Sequence, residues 1–181
     1  MYLVSFFRYF FKKRNVLIVD IKLDSAYCLS MKIEKYKKLA IEKSVHYASV
    51  DLNINQPNIV FKEKPQLPHG DISAMFLKEH YVIIFNSDWV EKAAIGELLI
   101  TCFHETRHAY QWNRINDVDL NSSDEDSYEL IQKWMIEFNE YIQPSCSGEN
   151  NGYITQIIEI DAVDYANKTI RHLLGKTEYH T

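Results

Sequence analysis

The chain has 181 residues, enough for one domain with a sizeable core and too few for two of ordinary size. Its 46% hydrophobic and 13% aromatic content excludes wholesale disorder. A formal net charge of -5 leaves no basic field of the kind that non-specific nucleic-acid binding exploits, so nucleic acid is not an expected partner.

Residues 1–14 (MYLVSFFRYFFKKR) put aromatics ahead of a basic run, the reverse of a signal peptide's charge order, and fall short of a bilayer span. Leu3, Phe6, Phe7, Phe10 and Phe11 recur at helical spacing opposite Arg8 and Lys12. Packing on the core is the expected role of this segment, with contact to a membrane surface as the alternative. Residues 1–15 are therefore read as an aromatic and basic N-terminal segment of a single domain spanning 1–181. Cys28, Cys102 and Cys146 lie far apart, with neither a paired metal spacing nor a disulfide framework, a pattern that suits a reducing cytoplasm.

Residues 16–23 form a short apolar run that reads as a strand. Residues 27–45 read as an amphipathic backing helix whose stripe includes Met31, Ile33, Tyr36, Leu39 and Ala40. From 48 to 55 apolar and polar residues alternate, which predicts a half-buried strand, and 58–62 predicts another. Pro65, Pro68 and Gly70 mark a loop, and 72–77 with 81–85 predict a hairpin turning through Lys78, Glu79 and His80. Ser87 or Asp88 can cap a long helix reaching Asn113. An acidic loop over 116–126 leads to a helix ending near Ile142. A last helix over 153–174 stops at Gly175. The fold class is α+β: a small, mostly antiparallel sheet with a backing helix, then an active-site helix and two further helices.

His104, Glu105, Thr106, Arg107 and His108 form a His-Glu-x-x-His sequence inside an otherwise apolar helix. Four residues is close to one helical turn, so both imidazoles leave one face and can meet a single metal ion. Glu105 lies about 100° round the axis, placed to reach a water without ligating the metal. Gln111 and Thr101 share the histidine face by the same count. In the last helix Glu159 is the only acid on the apolar face, beside Ala162 and Ala166. Asp161 and Asp164 fall with Lys168 and Arg171 on the polar side, expected to be solvated. A buried lone carboxylate needs a partner. A metal held by His104 and His108 would provide one, and Arg107 or a tyrosine is the alternative.

With HETRH on one helix and EIDAVDYA on a later one, the sequence resembles small gluzincin-type zinc metallopeptidases, of the ImmA/IrrE-like or minigluzincin-like kind. The resemblance spans residues 27–174 and implies Zn2+ held by His104, His108 and Glu159. It implies hydrolysis of a peptide or protein substrate, with Glu105 as general base toward a zinc-activated water. Tyr110, Tyr128, Tyr153 and His172 are candidate oxyanion stabilisers. The resemblance also implies that substrate lies along a sheet edge, for which 72–77 and 81–85 are the candidates. Two departures stand out. Val163 occupies the position where many gluzincins carry an acid or amide that orients a metal histidine, and residues 1–15 match nothing in the family. The alternative function is a non-catalytic zinc-containing binding module. Such a module would close the metal with a fourth protein ligand, drawn from Cys146, His172 or His180, since Cys102 points away.

Overall fold

The computed structural model describes residues 33–67, 72–116, 126–142 and 152–175. The N-terminal segment, the expected strand at 16–23, most of the acidic loop, Cys28, Cys146 and His180 lie outside these residues. No helix among the described residues is long and apolar enough to cross a membrane.

Helix α1 (Ile33–Asp51) extends past the backing helix expected from the sequence and absorbs the first half of the strand expected over 48–55. The alternation there coincides with a stronger helical stripe, in which Lys37, Ala40, Ile41, Ser44, Val45 and Ala48 are all buried at three- and four-residue spacing. On that wheel Ser49 is 2% exposed, its hydroxyl donating to the Val45 carbonyl, whereas Val50 is 56% exposed. The strand reading had these two residues the wrong way round.

Strands β1 (Asn58–Lys62), β2 (Ala74–Leu77) and β3 (Val82–Asn86) form a sheet in the order β1-β3-β2. The expected hairpin is present, pairing Ala74 with Phe85 and Leu77 with Val82. The sheet is mixed, however, because β1 runs parallel to β3 from Asn58–Val82 to Lys62–Asn86. β3 is thus central, buried along its whole length, and β2 is an edge.

Helix α2 (Ser87–Lys92) and helix α3 (Ile95–Asn116) replace the single long helix expected. Asn86, rather than Ser87 or Asp88, caps α2, its Oδ1 accepting from the amides of Asp88 and Trp89. The break follows at Ala93, which is extended (ψ 144°). Lys37 Nζ donates to the carbonyls of Glu91 and Ala93 at 2.6 and 2.7 Å, so a buried cation satisfies the end of α2. Glu97 then accepts from the Ala94 amide at 2.7 Å, the carboxylate half of a capping box at the start of α3.

Helix α4 (Tyr128–Asn139) is capped by Ser127 and ends three residues short of the expected boundary. A short 3-10 turn (Tyr153–Thr155) precedes α5 (Ile157–Leu173). The first amides of α5 are satisfied from α4, where Glu137 accepts from Ile157 and Ile158 at 2.9 and 2.8 Å. Gly175, at φ +69°, ends α5 as expected.

α3 is the hub. Ile41 and Val45 of α1, Ile83 and Phe85 of β3, and Leu98 and Cys102 of α3 form one core cluster. Tyr47, Ala48, Leu99, Phe103 and Ala166 join α1, α3 and α5 in a second. Tyr110, Ile131, Trp134 and Ile158 join α3, α4 and α5 in a third. The opposite face of the sheet packs Val82 and Ile84 on Leu67.

Candidate metal centre

The middle of α3 carries His104, Glu105 and His108, and the first turn of α5 carries Glu159. Ala162 and Ala166, both buried, let the two helices pack closely, so residues 51 or more positions apart in sequence meet. His104 Nε2 and His108 Nε2 are 3.0 Å apart. Glu159 Oε2 lies 3.3 Å from the first and Oε1 lies 3.4 Å from the second. A tetrahedral ion with bonds of about 2.0–2.1 Å separates its ligand atoms by about 3.3–3.4 Å, so each carboxylate oxygen has that spacing from one of the two histidines, and the histidine pair needs a small opening. Among the described residues these three are the only group of three or more His, Cys, Asp or Glu side chains converging in this way.

Glu159 is 2% exposed, and its burial is answered by more than the histidines. Tyr141 donates to Oε1 at 2.6 Å and Tyr153 donates to Oε2 at 2.7 Å. Burial alone would raise the Glu159 pKa, but the hydrogen bonds and charges of His104 and His108 outweigh it and hold the carboxyl far below its usual range. Burial likewise pushes His108 down, and the Glu159 contacts, the charge of Glu105 and the bond to Gln111 together lift it to about 9. Tyr141 and Tyr153 are both raised, by burial first and by the Glu159 charge second, which keeps them as hydroxyl donors.

His104, His108, Tyr141 and Tyr153 line a cleft of about 500 Å³. One wall is β2 and the residues leading into it, from Ile72 to Phe76. The floor is α3 at Thr101, His104, Glu105 and His108. The far wall is Phe138, Tyr141, Tyr153 and the α5 residues Val163 and Ala166. Glu105 is buried against this cleft, and its carboxylate has no hydrogen-bond partner among the described residues. Lys78 spans the cleft's end, donating to the Phe138 carbonyl at 2.9 Å and lying over the rings of Trp112 and Phe138.

Several expectations are redirected. Tyr110 donates to Asp126 under the Arg107 guanidinium, and Tyr128 is exposed on α4, so neither faces the cleft. His172 borders a different, shallower depression with Tyr47 and Asp51, away from the metal donors. Tyr153 alone of the four candidates lines the cleft. Cys102 is buried in the sheet-facing core, as expected, and burial raises its thiol pKa well above the ordinary range. Between the two edge candidates, only β2 is an edge; 81–85 lies in the centre of the sheet.

Asp161 is the largest correction. It is not simply solvated, but accepts a two-pronged bond from Arg107, Nε to Oδ2 at 2.8 Å and NH2 to Oδ1 at 3.0 Å. Arg107 therefore pairs with Asp161 and not with Glu159. Asp161 also accepts from Gln111 Nε2 at 2.7 Å, and Gln111 Oε1 faces His108 Nδ1 at 2.8 Å. The tyrosine alternative for Glu159 is present twice over, in Tyr153, which the sequence marks as a candidate only for the oxyanion, and in Tyr141, which lies past the end of α4 where no periodicity marks it.

The fold and donors define an α+β protein with a His-His-Glu group able to hold a metal ion. In comparisons with known proteins, no family model, no curated protein and no solved structure matches the chain.

Proposed function

We propose that the chain is a zinc-dependent peptidase. The observation that carries this reading is a donor group that stops at three among the described residues, two of which, His104 and His108, line the same cleft as the buried Glu105. A purely structural zinc site is normally closed by four protein ligands. Two imidazoles and a carboxylate are a donor set that suits zinc. When bound, zinc would polarise a carbonyl and lower the pKa of a water. Glu105 takes the proton from the attacking water and delivers it to the leaving amine. Tyr141 and Tyr153 commit their hydroxyl hydrogens to Glu159, so either would donate to the developing oxyanion only by giving up that bond. The β2 edge offers unpaired backbone groups along the cleft, on which an extended peptide adds as a further strand. A peptide or protein segment in extended form is thus the substrate class.

The test pairs wild type with Glu105→Gln, measuring zinc content after loading and cleavage of an extended-peptide library. Both proteins should retain about one zinc per chain, and cleavage should fall at least about a hundredfold in the variant. Negligible zinc in the loaded wild type would reject the reading. Equal cleavage by the two proteins would reject Glu105 as the base. A zinc-loaded wild type that cleaves nothing would favour the non-catalytic binding module.

A further inference from the structure

His108 is a useful ligand only if its Nε2 presents a lone pair, which requires the hydrogen on Nδ1. The structure contains a device that decides this, and it begins at Gln111, three residues further along α3 and 0% exposed. Gln111 Nε2 lies 2.9 Å from the Ile158 carbonyl and 2.7 Å from Asp161 Oδ2. Both partners accept only, one being a peptide oxygen and the other a carboxylate paired with Arg107. The amide therefore cannot be turned over without setting its oxygen against two oxygens. Oε1 is left facing His108 Nδ1 at 2.8 Å as an acceptor, so Nδ1 must carry the hydrogen.

Resting on the zinc reading, we propose that Gln111 is the positioning residue of the centre. Held by Asp161 and Arg107, it fixes His108 with Nδ1 protonated and Nε2 turned to the metal. Its bond to the Ile158 carbonyl also ties the first turn of α5, which carries Glu159, to the helix that carries both histidines. One amide thus sets the tautomer of one ligand and the placement of another. It takes over the histidine-orienting role that the gluzincin resemblance would assign to position 163, where Val163 is exposed and has no polar group to offer.

The experiment compares full-length wild type, Gln111→Met and Asp161→Asn, with Ile41→Val as a buried control in the sheet-side core cluster, away from Gln111 and its partners. Zinc affinity is read by competition with a chromophoric chelator. The His108 Nδ1–H is read in the metal-free proteins by one-bond 1H–15N correlation, assigned with His108→Asn. Wild type should show a slowly exchanging Nδ1–H signal. Gln111→Met should lose it and bind zinc at least about tenfold more weakly. Asp161→Asn, which leaves Gln111 in place but loosens it, should weaken zinc binding severalfold, and it carries the test if Gln111→Met does not fold. A role confined to packing would lower the melting temperature while leaving signal and affinity as in Ile41→Val, and would overturn the proposal. Zinc affinity within twofold of wild type in both variants, or no Nδ1–H signal in wild type, would overturn the proposal. A wild type that shows the signal but binds no zinc would reject the zinc reading while leaving the assignment of the hydrogen standing.

Discussion

In the metal-free protein His108 and Glu159 hold one another in their charged forms, and this makes a pH dependence whose sign is fixed. An ordinary histidine titrates near 6.5, whereas His108 in the fold titrates at about 9. Below 6.5 folded and unfolded chains both carry the proton, and the stabilisation from the pair is fully present. As pH rises past 6.5 the unfolded chain releases its proton while the folded one keeps it, so stability falls until pH passes about 9. Each pH step of one between those two values is worth about 1.4 kcal/mol, so the loss across the window is about 3 kcal/mol. The depression of Glu159 contains the same His108 contact seen from its partner, beside that of His104, and is not added to this figure. For a chain of this size that is roughly 6–12 °C of melting temperature. The assay is thermal unfolding followed by circular dichroism in the presence of chelator, from pH 6 to 9.5, for wild type and Glu159→Gln. The general repulsion of a net-negative chain is common to both proteins, the variant carrying one negative charge fewer. Wild type should lose markedly more stability than the variant. A wild-type curve that is flat across the window, or a Glu159→Gln curve of equal slope, would refute the reasoning.

Asn86→Ala removes the acceptor for two α2 amides and the donor to the Ile72 carbonyl, and should cost about 2 kcal/mol in urea unfolding, with Asn86→Asp intermediate because it keeps the cap. Val50→Ala should leave stability within about 0.5 kcal/mol, or raise it, because Val50 is an exposed helix residue. Ser49→Lys should cost more than about 2 kcal/mol by burying an unpaired charge, an ordering opposite to that of a strand at 48–55. Phe103→Ala empties the junction of α1, α3 and α5 and should cost about 3–5 kcal/mol, measured by the same unfolding.

What could be read from sequence follows the range of the interactions involved. The two histidines lie one turn apart, so helix geometry alone puts them on one face, and Gln111 falls on that face by the same count. Glu159 was separable from Asp161 because its neighbours on the wheel are Ala162 and Ala166, small and apolar. What could not be read was the use made of Asp161. A residue at the margin of a polar face is solvated unless something across the helix junction reaches it, and Arg107 and Gln111 do so from α3. Glu137 and Tyr141 were hidden for the same reason, since each finds its partner in α5 only after folding. The misread strand at 48–55 has a different cause. Eight residues of alternation fit a period of two, but the buried set from Lys37 onward fits 3.6 over a longer stretch, and tertiary burial favours the longer match.

The joint between α2 and α3 has a meaning beyond closing two helix ends. A helix is a screw, and the residue at which it begins decides the compass bearing of every side chain that follows. His104 stands nine residues beyond Ile95, about two and a half turns along, so its bearing is inherited from the point where Glu97 and Lys37 fix the chain at Ala93 and Ala94. One residue gained or lost there would turn the rest of α3 by about 100° against its neighbours. Leu98, Cys102 and Phe103 could then keep their seats only by sending the histidines away from Glu159, or the histidines theirs only by drawing the core out. The joint works as a keyway, admitting α3 in a single angular setting, and a lysine on a helix that never touches the metal donors cuts the key.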